Sequence, residues 1–98
     1  DGSIRNTYDV RLRNMHHDER IFYVTHTADV PLTLSIEGED NPVVEIAPDM
    51  MRTLRVYVVA PADSPAARAA RSNLRLWFED GASTKRVHAD TIFNGRGN

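Results

Sequence analysis

The stretch Thr53-Leu54-Arg55-Val56-Tyr57-Val58-Val59-Ala60-Pro61 constrains the fold of this chain more than any other. Leu54, Val56 and Val58 share one parity, and Arg55, Tyr57 and Val59 share the other. Side chains of a strand point alternately to its two faces, so one face here is wholly apolar and the other mixed. β-branched and aromatic residues dominate the run, and Pro61 ends any ladder because it carries no N–H. We read it as a central strand whose apolar face nucleates the core of a sandwich.

The same alternation recurs along the chain. Tyr8, Val10 and Leu12 alternate with Asp9, Arg11 and Arg13, which predicts a strand from Ile4 to Asn14 with one face in a core and one in water. Arg20 to His26 reads as a second strand; Phe22 and Val24 oppose Ile21 and Tyr23, so periodicity leaves its inward face open. Leu32, Leu34 and Ile36 form a third, stopped by Glu37-Gly38-Glu39-Asp40-Asn41-Pro42. Val43 to Ile46 is short and bounded by Pro42 and Pro48, as an edge strand would be. Leu74, Leu76 and Phe78 give another strand, Asp80-Gly81 signals a hairpin, and Arg86 to Phe93 returns. Between the central strand and Leu74, Ser64 and Pro65 precede an Ala-rich run with a helix N-cap and first-turn signature, and we expect a helical turn or two, or a mobile loop. Seven short strands, most of them about 8–12 residues apart, predict an all-β, immunoglobulin-like seven-stranded antiparallel β-sandwich. The expectation is a single domain over residues 1–98.

Composition removes several function classes. The chain has no cysteine, so it offers no thiol nucleophile, disulfide or Cys-ligated cluster. Its net charge of -2 does not steer it toward nucleic acid. No apolar run approaches the ~18 residues of a membrane helix. Four His accompany 14 acidic residues, yet no nucleophile elbow, zincin motif or phosphate-binding loop is present, and we expect no catalytic residue.

Two features carry the remaining chemistry. Met15-His16-His17 sets a thioether beside two imidazoles in a polar turn, ligands that suit copper, and Met50-Met51 adds two thioethers. Adjacent residues of a strand point apart, however, and exposed His with gap-filling Met is the plainer account. Tyr57 and Trp77 lie on the parity opposite the apolar face of their strands. If those strands are neighbours, they form an aromatic contact patch for a partner; otherwise a loop such as 62–71 covers Trp77. His26 and His88 fall on strands and read as partly buried residues without a special role.

The opening Asp1-Gly2-Ser3-Ile4-Arg5-Asn6-Thr7-Tyr8 is more specific. Asp1, Gly2, Arg5, Asn6, Tyr8, Val10, Leu12 and Asn14 fit the segment that opens the C-terminal immunoglobulin-like domain of the CcoG/FixG/RdxA family. Arg20 and Phe22 resemble its Arg-x-Phe strand, Leu34, Glu37 and Gly38 a following strand and turn, and Ala89-Asp90-Thr91-Ile92-Phe93 its ending. The resemblance implies that this chain is an excised fragment. Its parent would be a polytopic inner-membrane protein with 4Fe–4S clusters that reduces copper for assembly of cbb3-type cytochrome c oxidase. The chain would be a periplasmic module with no cofactor of its own; copper is the one metal its Met/His turn leaves open. Its partners would be the parent's membrane domain, oxidase subunits, a copper chaperone or a second copy. A general adhesion-type binding sandwich and a small Met/His copper-binding domain are the alternatives.

Overall fold

A computed structural model describes residues 2–83 and 85–97. Seven strands are present among them: β1 (Ile4–Arg13), β2 (Arg20–Ala28), β3 (Thr33–Ile36), β4 (Val43–Ile46), β5 (Met51–Ala60), β6 (Arg71–Asp80) and β7 (Arg86–Asn94). One helical turn, α1 (Pro65–Arg68), lies between β5 and β6. The strands form two antiparallel sheets, ordered β1-β5-β3 and β4-β2-β6-β7. Every connection up to β6 crosses from one sheet to the other; only β6 and β7 are joined within a sheet.

The expected central strand is central. β5 pairs with β1 along ten residues, Ile4 against Ala60 through Arg13 against Met51, and with β3 on its other edge. Its even residues Leu54, Val56, Val58 and Ala60 are buried. The facing sheet supplies Phe22 and Val24 from β2, Leu74, Leu76 and Phe78 from β6, and Phe93 from β7. This settles the face that periodicity left open: Phe22 and Val24 point inward, while Ile21 and Tyr23 stand on the outer face.

The two ends of the sandwich are closed differently. At the end where β5 finishes, Ser64 caps α1, accepting from the Ala67 N–H at 3.3 Å, and Pro65 takes the first helical position as its fixed φ favours. Ala66 and Ala67 are fully buried and plug the core. The chain after β7 lies against this turn, with the Arg96 N–H bonded to the Ala67 carbonyl at 2.8 Å. The 62–71 segment therefore seals an end of the sandwich rather than folding over Trp77. At the opposite end three connections meet: the β1–β2 turn, the β4–β5 turn and the β6–β7 turn. Asp80-Gly81 does begin the β6–β7 connection, although it spans more than two residues and includes Thr84, which lies outside the described residues.

Candidate functional site

The end formed by the three turns holds a polar network built on Asn14 and Asp80. Asn14 is fully buried where β1 leaves its sheet. Its Nδ2 donates to the carbonyls of Asp18 and Ile46, both at 2.9 Å, and its Oδ1 accepts from the His16 N–H at 2.9 Å. The amide orientation is unambiguous, because one end faces only acceptors and the other a donor. Beside it the buried Asp80 carboxylate receives Arg20 Nη1 at 2.9 Å, the Ala82 N–H at 2.9 Å and His16 Nε2 at 3.3 Å. Burial alone would raise the Asp80 pKa. The Ala82 N–H, the Arg20 guanidinium and the Ser83 hydroxyl outweigh it and hold the carboxyl below its ordinary range. Each of these groups is a structural tie between turns.

Met15 and His16 border one groove, whereas His17 points to the β4–β5 turn. His16 is turned to Asp80, whereas His17 is fully exposed and lies 3.8 Å from Asp49 of the β4–β5 turn. Met15 points out at 78 % exposure, along an apolar groove described below. The β4–β5 turn does adjoin this turn, since the Asn14 N–H bonds to the Met50 carbonyl at 2.9 Å. The Met50 and Met51 side chains are exposed. Among the described residues no three His, Asp or Glu side chains converge on one point.

The aromatic patch expected from Tyr57 and Trp77 does not form. β5 and β6 belong to different sheets, so the two side chains stand on opposite outer faces of the sandwich. Period-2 alternation reports parity within a strand and nothing about which strand lies beside it. Tyr57 carries the Arg5 guanidinium 4.6 Å from its ring centroid. Trp77 is held more elaborately: Arg86 stacks at 4.3 Å, His88 packs at 4.8 Å, and Nε1 donates to Thr27 Oγ1 at 3.1 Å. Sequence reasoning missed Arg86 and His88 as partners of Trp77, and it expected His88 to be partly buried. The β6–β7 hairpin register, Trp77 opposite His88, is the signal that would have found them. Exposed Ile21 and Tyr23 on β2 complete this outer face.

A second set of ties joins β1 to β7 across the seam between the sheets. Asn6 accepts the Asn94 N–H at 2.8 Å and donates to the Asn94 carbonyl at 3.0 Å, so one side-chain amide imitates a neighbouring strand. Tyr8 Oη donates to the Ile92 carbonyl at 2.7 Å, and partial burial raises its pKa, which keeps the donor proton in place. Asn6, Tyr8, Asn14 and Arg20, four of the residues that carry the family resemblance, thus all bind one element of the sandwich to another.

Two facing antiparallel sheets with crossing connections, sealed by polar ties at their ends, define an immunoglobulin-like module. The model of the family described as "IG-like fold at C-terminal of FixG" matches residues 1–96, and the chain belongs to that family. It is 53 % identical over its whole length to Protein RdxB of Cereibacter sphaeroides, and 39 % identical over 80 residues, 82 % of the chain, to Protein RdxA of the same organism. It covers 20 % of the first and 17 % of the second, so it spans about a fifth of the length of these relatives. A crystal structure of a FixG-related protein from Vibrio parahaemolyticus superimposes with a TM-score of 0.82 over 97 % of this chain and 82 % of that one. At 13 % identity that likeness concerns the fold alone. No helix among the described residues is long and apolar enough to cross a membrane.

Proposed function

We propose that this chain is a non-catalytic, periplasmic docking module of a FixG/CcoG-like membrane iron–sulfur protein that assists copper delivery and assembly of cbb3-type cytochrome c oxidase. Family membership supports the parentage. The observation that carries the docking role is a division among side chains. The buried polar groups Asn14 and Asp80, with their partners Arg20 and His16, tie the fold together. The large apolar groups face solvent in three places: Ile21 and Tyr23 on the outer face of the four-stranded sheet, Met15 and Val87 at the β1–β7 seam, and Met50 and Met51 at the β4–β5 turn. Apolar side chains held outside a core are the material of contact surfaces. The absence of cysteine means that any cluster of the parent is ligated elsewhere.

The test is made in the full-length parent in its own cell. Removing residues 1–98 should leave its clusters assembled, seen by electron paramagnetic resonance, while cbb3-type oxidase activity in membranes falls several-fold. A deletion strain with intact clusters and unchanged oxidase activity would refute the docking role.

A further inference from the structure

The seam between β1 and β7 is closed along one half and open along the other. Each is an edge strand: β1 pairs only with β5, and β7 only with β6. In the closed half, Asn6 and Tyr8 satisfy the outward backbone groups of Asn94 and Ile92. Backbone polarity alternates along an antiparallel strand, so the even residues of β7 turn their N–H and C=O groups toward this seam. The next outward groups belong to Asp90, His88 and Arg86, and no strand among the described residues pairs with them.

Beside that open half lies a groove of about 230 Å³ whose apolar lining is Leu12, Met15, Phe22, Phe78 and Val87. Val87 has the parity of buried Phe93 and faces the interior side of its sheet, yet it is 63 % exposed, with nothing among the described residues covering it. The register of the ties, Asn6 with Asn94 and Tyr8 with Ile92, carries Leu12 to the level of His88 farther down the seam. Arg13 and Lys85 also border the groove. Neither makes an ion pair among the described residues, whereas the one carboxylate there, Asp80, is already occupied by Arg20 and His16. The groove therefore combines an unpaired strand edge, an apolar floor and uncompensated positive charge.

We infer that this half-seam takes an extended peptide segment of a partner protein, added as a strand along the edge of β7 at Arg86 and His88. Alternate apolar side chains of the segment enter the groove between Met15 and Val87, and a carboxylate at its end meets Arg13 and Lys85. Main-chain bonds to the edge give affinity; the pocket and the charge give selectivity. The inference rests on the docking role proposed above and names its site and the chemistry of its partner.

The probe is a soluble nine-residue peptide in which Thr alternates with Val or Leu and two Asp close one end, titrated into the 98-residue chain and followed by NMR. The amides of Arg86 and His88 and the methyl groups of Met15 and Val87 should shift together and saturate. Exchange of those two amides should slow at least tenfold. Replacing the two Asp by Lys should weaken binding at least fivefold. N-methylation of the pairing residues, which leaves every side chain in place, should abolish it, and so should Val87→Glu. No saturation by 1 mM would overturn the proposal. So would shifts centred on Trp77, retained binding of the N-methylated peptide, or self-association of the chain through this edge seen by sedimentation. Failure here together with lost oxidase activity in the deletion strain would remove this groove as the site and leave the docking role standing.

Discussion

Asn14→Ala tests whether the end of the sandwich is held by one side chain. The substitution removes three hydrogen bonds of 2.9 Å, two donated to Asp18 and Ile46 and one accepted from His16. At roughly 1 kcal/mol each, their loss costs about 3 kcal/mol. The Ile46 carbonyl lies in a buried bond, so stranding it keeps the total from falling much below that figure. The Asp18 and His16 groups are only partly buried and can turn to water, which keeps it from rising much above. For a chain of this size each kcal/mol lowers Tm by about 4–8 °C, so urea and thermal denaturation should show a fall of roughly 12–24 °C. Asn14→Asp sharpens the test, because it keeps the acceptor for His16 and turns a carboxylate oxygen on two carbonyls. The folded pKa of that Asp is raised above its unfolded value. Its relative stability is then fully present below about pH 4 and is lost as pH rises through the folded pKa, so Asn14→Asp should gain on Asn14→Ala in acid. A loss under about 1 kcal/mol for Asn14→Ala, or an Asp variant with no such gain, would refute the assignment.

Further outcomes follow from other contacts. Asp80→Asn should cost about 2 kcal/mol at pH 7, from charged hydrogen bonds to Arg20 and Ala82, in chemical denaturation. Because the Asp80 pKa is lowered on folding, its contribution is present above the unfolded value near 3.9 and disappears as pH falls through the folded one. The unsubstituted 98-residue chain should therefore lose stability below about pH 4, and the Asn variant should show a shallower acid limb. Phe93→Ala should cost roughly 3–5 kcal/mol as a buried cavity, whereas Trp77→Ala on the outer face should cost far less in the same assay. Gly95→Ala should unfold or rearrange the C-terminal segment, since a Cβ there would overlap the carbonyl oxygens of Ala66 and Ala69, and circular dichroism with thermal melting checks it. Titration with Cu(I) against a competing chelator should give no complex tighter than micromolar, because His16 and His17 face different carboxylates.

Strand positions were legible because the apolar residues of β1, β3, β5 and β6 repeat with period 2 and are bounded by Gly, Pro and acidic clusters. The helical turn was legible because Ser64-Pro65 states its capping chemistry directly. Strand adjacency was not, and that is where the reading of Tyr57 with Trp77 failed: β5 and β6 are consecutive in sequence, yet their connection crosses between sheets. The face of β2 was ambiguous for a different reason. Ile21 and Tyr23 are as apolar as Phe22 and Val24, and they remain exposed on an outer face. A sequence that places apolar groups on both faces of a strand withholds its inward side.

Four of the residues that carry the family resemblance do physical work of one kind. Asn6, Tyr8, Asn14 and Arg20 each satisfy backbone or carboxylate groups that a two-sheet sandwich leaves exposed wherever its chain crosses over or its edges face each other. Such groups cannot be met by apolar packing, so the side chains that meet them are fixed in type and spacing. A partner surface is under no such constraint. Met15, Lys85 and Val87 lie in or beside turns, where the core does not depend on their identity. The opening motif of this chain therefore reports how the sandwich is closed. The docking site proposed above lies in the half of the β1–β7 seam that the motif leaves untied.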